Sequence, residues 1–224
     1  MKLCSGFPYI LVSEIINSMS KSDAFLQIVK SRRSIKKLKP DCISRDFIEE
    51  MIDIATSAPS AHNAQPWRFI VITDQDLKVN LAKAMTQSWL NDLLKDGVSK
   101  MEIVNLLESS KKRTINASVL IIVCLTMEDM DKYNDKRRSI EYIMAVQSVS
   151  AAIQNLLLAF HMKGWGACWR CAPLFCIEVV REVLNIPESF FPQAIIEIGY
   201  PMEKPKMPPR KPLKDVVRFN RWGQ

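Results

Sequence analysis

The chain has 224 residues, enough to bury a sizeable core as one large domain or two small ones. Its 48% hydrophobic and 25% charged content excludes a disordered body, and six glycines with neither a GxGxxG nor a GxxxxGK run exclude the usual glycine-rich phosphate loops. A net charge of +7 with a pI near 9.1 leaves nucleic acid, an anionic surface or a phosphorylated small ligand open.

Residues 1–21 read as an N-terminal extension. Leu3, Phe7, Ile10, Leu11, Val12, Ile15 and Ile16 are apolar, but Pro8, Ser13, Glu14 and Asn17 interrupt them. No run there is long enough to span a membrane, and no small-residue cleavage signature follows a basic start. The segment is expected to pack on the body or on a partner, with Met19 as a second candidate start. A helix then opens with Ser22 or Asp23 as its cap and with Phe25, Leu26 and Val29 at helical spacing. It gives way to a segment in which five of the nine residues from 31 to 39 are basic. Arginine forks and serine hydroxyls there suit a phosphate, and they also suit a solvated face.

Ser44 caps a second helix over about 45–57. This helix leads into the loop Ala58-Pro59-Ser60-Ala61-His62-Asn63-Ala64-Gln65-Pro66-Trp67. Two prolines stiffen the loop, which is dense in small hydrogen-bonding side chains; a ligand-holding loop and an ordinary rigid connection both look like this. A strand over 68–73 follows, then helical stretches over 75–90 and 99–112 with Gly97 between them. Residues 119–125 are nearly all apolar, the pattern of a central strand buried on both faces. After a charged loop at 128–138, the longest helix spans 139–163. It is apolar on almost every side from Tyr142 to Phe160. Gln147, Ser148, Ser150, Gln154 and Asn155 argue against hydrocarbon around it. It is expected in the core of a domain or in a subunit interface, where Ala145, Ala151 and Ala152 permit close approach.

Gly164-Trp165-Gly166 caps that helix, and residues 167–170 form a short strand or extended turn. An amphipathic helix over 175–184 puts Phe175, Val179, Val180, Val183 and Leu184 on one face, and a strand covers 193–200. The tail from 201 to 224 holds five prolines and many cations and cannot form a core of its own. Its Val216, Val217, Phe219 and Trp222 call for burial, as on an arm lying across a neighbouring subunit. Six cysteines at 4, 42, 124, 168, 171 and 176 do not make a secreted disulfide framework. Cys168 and Cys171 form a lone CxxC, and with only His62 and His161 in the chain a tetrahedral zinc site is poorly supplied. These thiols read mostly as small buried hydrophobes in a reducing cytoplasm.

Three segments, taken together and in order, resemble the FMN-dependent nitroreductase family. Ser31-Arg32-Arg33-Ser34-Ile35-Lys36 is similar to its RRS-x-R/K signature. The loop from Ala58 to Trp67 is similar to its APS-x-x-N-x-QPW motif. The distal set is Gly164 to Arg170 after the long apolar helix, Ile198-Gly199-Tyr200-Pro201, and Arg210-Lys211-Pro212-Leu213 ahead of Asn220-Arg221-Trp222. The resemblance covers residues 22–223, so the chain reads as an extension of 1–21 and one FMN-binding domain of 22–224 that includes a C-terminal arm.

The resemblance implies an α+β, three-layer fold, its central sheet mainly antiparallel and flanked by helices. It also implies an interlocked homodimer with two FMN sites at the subunit interface. It assigns Arg32, Ser34 and Lys36 to the FMN phosphate and ribityl oxygens, with Arg33 as a neighbouring basic residue. Ser60, Ala61, Asn63 and Gln65 fall beside the ribityl chain and ring edge. Trp169, Arg170 and Cys171 fall at the backbone turn near the ring, and Arg210 reaches the phosphate. Two or three cations would meet the charge of a phosphate dianion. The implied activity is hydride transfer from NAD(P)H through FMN to a nitro, quinone or similar small acceptor; the cofactor carries the chemistry. No catalytic side chain and no metal ligand is named. The alternative is a specialised flavin enzyme of the same fold, performing reductive dehalogenation or oxygen-dependent flavin chemistry. Neither a membrane nor nucleic acid is an expected partner, because the basic segments at 31–39 and 204–214 lack interleaved aromatics.

Overall fold

The computed structural model describes residues 20–223, so the expectations for the rest of the N-terminal extension lie outside the described residues. Helix α1 (Lys21–Ser31) is capped by Ser20, whose hydroxyl accepts from the Asp23 N–H; the cap stands two residues ahead of the first expected candidate, Ser22. The short strand β1 (Leu38–Lys39) precedes α2 (Arg45–Thr56), whose cap is Ser44 as expected. The loop, a 3-10 turn over Ala61–Asn63, leads to β2 (Trp67–Ile72). Next come α3 (Gln75–Lys95), α4 (Lys100–Asn116), β3 (Val119–Thr126) and the 26-residue α5 (Arg137–Met162). Strand β4 (Gly166–Arg170), a 3-10 turn over Ala172–Phe175, α6 (Ile177–Leu184), β5 (Phe190–Pro201) and the single-turn α7 (Leu213–Val216) complete the chain.

All strand pairs are antiparallel. The sheet runs β1-β5-β3-β2, with β4 also on β5. Strand β3 is buried at every residue, and its alternating side chains explain why. Val119, Ile121, Val123 and Leu125 pack with α2 and α5 on one face; Leu120, Ile122 and Cys124 pack with α3 and α6 on the other. The architecture is therefore three-layered and α+β, with helices on both faces of an antiparallel sheet.

Helix α5 is, among the described residues, long and apolar enough to cross a membrane. Here it is a core helix: Ala145, Val149, Ala152, Ile153, Leu156 and Phe160 are buried against the sheet and α2. It is not buried all round, as its sequence suggested. Ile140, Ile143, Gln147, Gln154 and Met162 are exposed, and Met144, Ala151 and Leu158 are half-buried. These positions recur every three or four residues, so they form one outward stripe. The expected apolar face of α1 is also reversed: Ala24 and Ile28 are buried, while Phe25, Leu26 and Val29 point outward. Phe175 leaves the expected face of α6 because the helix starts only at Ile177, and it is 82% exposed.

Gly164 takes φ +80° where α5 ends, a left-handed cap that a β-carbon would strain. Gly166 and Gly199 face one another across β4 and β5. A β-carbon on Gly166 would lie 2.7 Å from Leu38 Cδ2, and one on Gly199 would lie 3.0 Å from Leu38 Cβ. The notch between the two strands thus accepts the Leu38 side chain and locks β1 against β5.

Candidate functional site

The basic segment after α1 is pinned to β4 by the Ile35 N–H, which donates to the Ala167 carbonyl at 3.0 Å. Arg32 is half-buried beside other cations. Burial lowers its pKa first, then the charges of Arg33 and Arg210; Cys168 opposes them. Arg210 of the C-terminal tail thus lies within electrostatic reach of Arg32. Arg33 turns back, its Nη1 donating to the carbonyls of Lys30 (2.7 Å) and Arg32 (2.5 Å). His161, at the end of α5, shares a 2.8 Å hydrogen bond with the Ser31 hydroxyl. Burial, then Arg32 and Arg33, hold its pKa below the ordinary 6.5. Ser34 and Lys36 are exposed, and Lys36 lies within electrostatic reach of Cys168. An open cleft of about 420 Å³ beside them is lined by Lys36, Lys37, Lys112 and Arg113. Glu108 also lines that cleft and Lys37 pairs with Glu203 at 3.5 Å, but Arg32, Arg33, Lys36 and Arg210 make no ion pair among the described residues. Such cations disfavour one another, and a bound anion relieves that cost.

The 58–66 loop is built separately. The Ser60 hydroxyl accepts from the Gln65 N–H at 3.1 Å. The Ala61 N–H donates to the Ser148 hydroxyl at 3.1 Å, and Ser148 donates to the Met144 carbonyl one turn back on α5. The Pro66 carbonyl accepts from the Thr126 N–H on β3 at 2.8 Å. Fastened at both ends, the loop carries left-handed φ values at His62 (54°), Asn63 (54°) and Gln65 (47°). Non-glycine residues held there cost about 1–3 kcal/mol each, and such strain gathers at ligand sites. The Asn63 and Gln65 side chains are exposed, and neither makes a side-chain hydrogen bond among the described residues. A second open cleft, of about 330 Å³, joins Ser60 and Ala61 to Met144, Gln147 and Ala151 on the outward stripe of α5.

The β4 turn divides its expected residues. The guanidinium of Arg170 is engaged inside the fold: it donates to Glu197 Oε1 at 2.5 Å, the Thr114 hydroxyl at 3.2 Å and the Ser110 hydroxyl at 2.8 Å. That leaves only its backbone for a ligand. Trp169 is half-buried, its indole N–H without a hydrogen-bond partner in the described structure, and Cys171 is exposed. Cys42, Cys124, Cys168, Cys171 and Cys176 are all free. Burial, then the Glu197 charge, raises the Cys168 thiol, and burial pushes Cys124 up to about 12. Neither is a reactive thiolate at neutral pH.

The cation cluster and the loop do not meet in one chain. The loop touches α5 at Ser148 and the cluster touches it at His161, thirteen residues apart. At the helical rise that is about 20 Å. Sequence reasoning named no metal ligands, yet one ligand atom from each of His62, Asp131 and Glu141 lies within 4.8 Å of the other two. No sequence signal foretold this: the three come from the loop, from the 128–138 segment and from the first turns of α5.

The family model described as "Nitroreductase family" matches residues 29–200. The chain belongs to the nitroreductase family. This family member is 32% identical over 210 residues to a protein of Methanothermobacter thermautotrophicus named provisionally as an NADH dehydrogenase/NAD(P)H nitroreductase, and the match covers 92% of each chain. It is 25% identical over 229 residues to the iodotyrosine deiodinase of Nematostella vectensis, covering 94% of this chain and 81% of that one. Among solved structures it resembles a BluB-like flavoprotein of Clostridium difficile, with 26% identity, a TM-score of 0.73 and coverage of 91% and 100%. The nitroreductase-like fold and the oxidoreductase class are thereby established for the chain.

Proposed function

We propose that this nitroreductase-family chain is an FMN-dependent oxidoreductase that draws hydride from NAD(P)H and delivers it to a nitro, quinone or similar small acceptor. The observation that carries the reading is the uncompensated cation cluster of Arg32, Arg33 and Arg210 beside Lys36, held on the same helix as a strained loop with free polar side chains. FMN, when bound, supplies the two-electron chemistry. The chain's own residues bind and orient. Arg32, Lys36 and Arg210 would hold the phosphate, with the Ser34 hydroxyl as a further donor. Ser60, Ala61, Asn63 and Gln65 would hold the sugar chain and ring edge, with the backbone of Trp169, Arg170 and Cys171 near the ring.

Because the two sets stand about 20 Å apart along α5, one site takes its loop and its cations from two subunits. The outward stripe of α5 and the unburied tail support the homodimer. Phe219 and Trp222 are 85% and 73% exposed in the single chain, a costly state for large apolar groups. A two-fold axis near Ala151 would bury the stripe and set the loop of one subunit toward the cations of the other. Nicotinamide use and free thiols fit a reducing cytoplasm.

The purified protein should be yellow, release FMN on denaturation, bleach on anaerobic addition of NADH or NADPH, and regain colour with a nitroaromatic. A colourless protein that FMN does not protect against heat would sink the reading. The similarity to a deiodinase and to a BluB-like flavoprotein supports a second one, reductive dehalogenation or oxygen-dependent flavin chemistry on the same fold. Steady nicotinamide oxidation with the nitroaromatic would count against that alternative.

A further inference from the structure

We propose that His62, Asp131 and Glu141 form a binding site for a divalent transition-metal cation, which ties the 58–66 loop to the head of α5. His62 sits between Ala61 and Asn63, the residues that the proposed function places beside FMN, so the site adjoins that loop without using either of their side chains. His62 Nε2 lies 3.5 Å from Glu141 Oε2 and 4.0 Å from Asp131 Oδ2. Bonds of about 2.0–2.2 Å from one cation to imidazole and carboxylate atoms span separations of this size. Small side-chain rotations close the triangle, since His62 and Asp131 are exposed and free to turn.

The buried member points to the ligand. The Glu141 side chain is only 7% exposed, and its Oε2 has no hydrogen-bond partner in the described structure. A buried carboxylate oxygen left unsatisfied costs several kcal/mol, a cost that a cation at this position would remove. His62 attracts it without forming a hydrogen bond. Nearby arginines are already placed on other acids: Arg68 on Asp129 at 3.2 Å and Arg137 on Asp135 at 2.8 Å. Among the described residues, Asp131 meets only His62 and a long 3.4 Å contact from the Tyr133 hydroxyl. Two carboxylates and a neutral imidazole carry two negative charges, which a dication cancels. One nitrogen and two oxygen donors suit zinc, manganese or iron, whereas the imidazole disfavours magnesium and calcium. Ligation through His62 would also help hold the left-handed backbone that the loop requires at that residue.

The test uses the full-length protein as isolated, stripped with EDTA and titrated with Zn²⁺ or Mg²⁺ while the two imidazoles of the chain are followed by NMR. Zn²⁺ should shift the ring nitrogens of His62 and leave His161 in place, with saturation at one ion per chain and a raised Tm; Mg²⁺ should do neither. Glu141→Gln keeps the shape and removes the charge, and Asp131→Asn removes a ligand at an exposed position that leaves folding intact. Each should weaken the His62-linked Zn²⁺ binding at least tenfold. If Zn²⁺ leaves His62 unmoved, the three residues are a plain ion pair and the proposal fails. It fails equally if Zn²⁺ still shifts His62 with undiminished affinity in both variants. Zn²⁺ taken up by the exposed thiols alone would leave the His62 signals where they were and would count as failure.

Discussion

Arg32 and Arg170 both lie within electrostatic reach of the Cys168 thiol on β4, yet they meet opposite company. Arg170 is aimed inward at Glu197, a carboxylate with no exposure, and the Thr114 and Ser110 hydroxyls accept two more of its N–H donors. Arg32 faces Arg33 and Arg210, with no ion pair of its own among the described residues. The first arrangement is an ion pair closed by protein groups, although Glu197 Oε2 has no hydrogen-bond partner among the described residues, and it belongs to the fold. The second has no counter-charge among the described residues, which is why the proposed function assigns it to binding an anion. An arginine's role here follows from the groups around it, and its place in a motif does not reveal which role it has.

The largest expected effect breaks the inward half. Glu197→Ala leaves the Arg170 guanidinium uncompensated and should cost about 3–5 kcal/mol in urea denaturation. A loss below about 1 kcal/mol would mean that the pair is dispensable. Arg32→Ala should do the reverse: folding stability is held or slightly raised, while FMN binding weakens by about 1.5–3 kcal/mol, roughly ten- to a hundredfold. Equilibrium dialysis and thermal melts on one preparation read both numbers, and a destabilised Arg32→Ala protein would overturn the contrast. A mixing experiment sharpens it. Arg32→Ala and Asn63→Ala chains, assayed at an FMN concentration too low to fill their weakened sites, should recover activity when unfolded and refolded together, because one of the two shared sites is then intact. No recovery would place both sets in the same subunit.

The smallest effect concerns His161. Its folded pKa lies below the ordinary 6.5, so between those two values the unfolded chain binds a proton that the native chain does not. Stability from this group is therefore present above about pH 6.5 and is lost as pH falls through the window. His161→Asn should flatten that part of the stability profile. An anion bound between Arg32 and Arg33 should move the His161 titration upward, which NMR with and without inorganic phosphate would detect.

Much of the fold was legible in local pattern. Residues 119–125 read as a doubly buried strand and are one, and Ser44 and Gly164 marked helix ends through capping chemistry that is local by nature. Strand β1 was not legible, because two residues paired to β5 by backbone bonds leave no periodicity. The loop and the basic segment were recognisable as motifs, and the left-handed φ values show why the loop holds its shape. The commitment of Arg170 was hidden: Cys168 pairs with Glu197 across β4 and β5, which puts Arg170 on the diagonal of the same face, and register between distant strands is not written in either one. The His62, Asp131 and Glu141 triangle was hidden because it joins a loop, a connecting segment and a helix whose approach no local pattern records. Residues 25, 26 and 29 misled because helical spacing marks an apolar face without saying what covers it.

The notch that Gly166 and Gly199 make for Leu38 ties three distant positions into one mutational unit. Any side chain at either glycine must displace Leu38, and Leu38 is two residues from Lys36 at the edge of the cation cluster. In a randomised library selected for activity, alanine at 166 should survive chiefly alongside a smaller residue at 38. Anyone retuning the cofactor or acceptor of this scaffold should vary those three positions together or leave all of them alone.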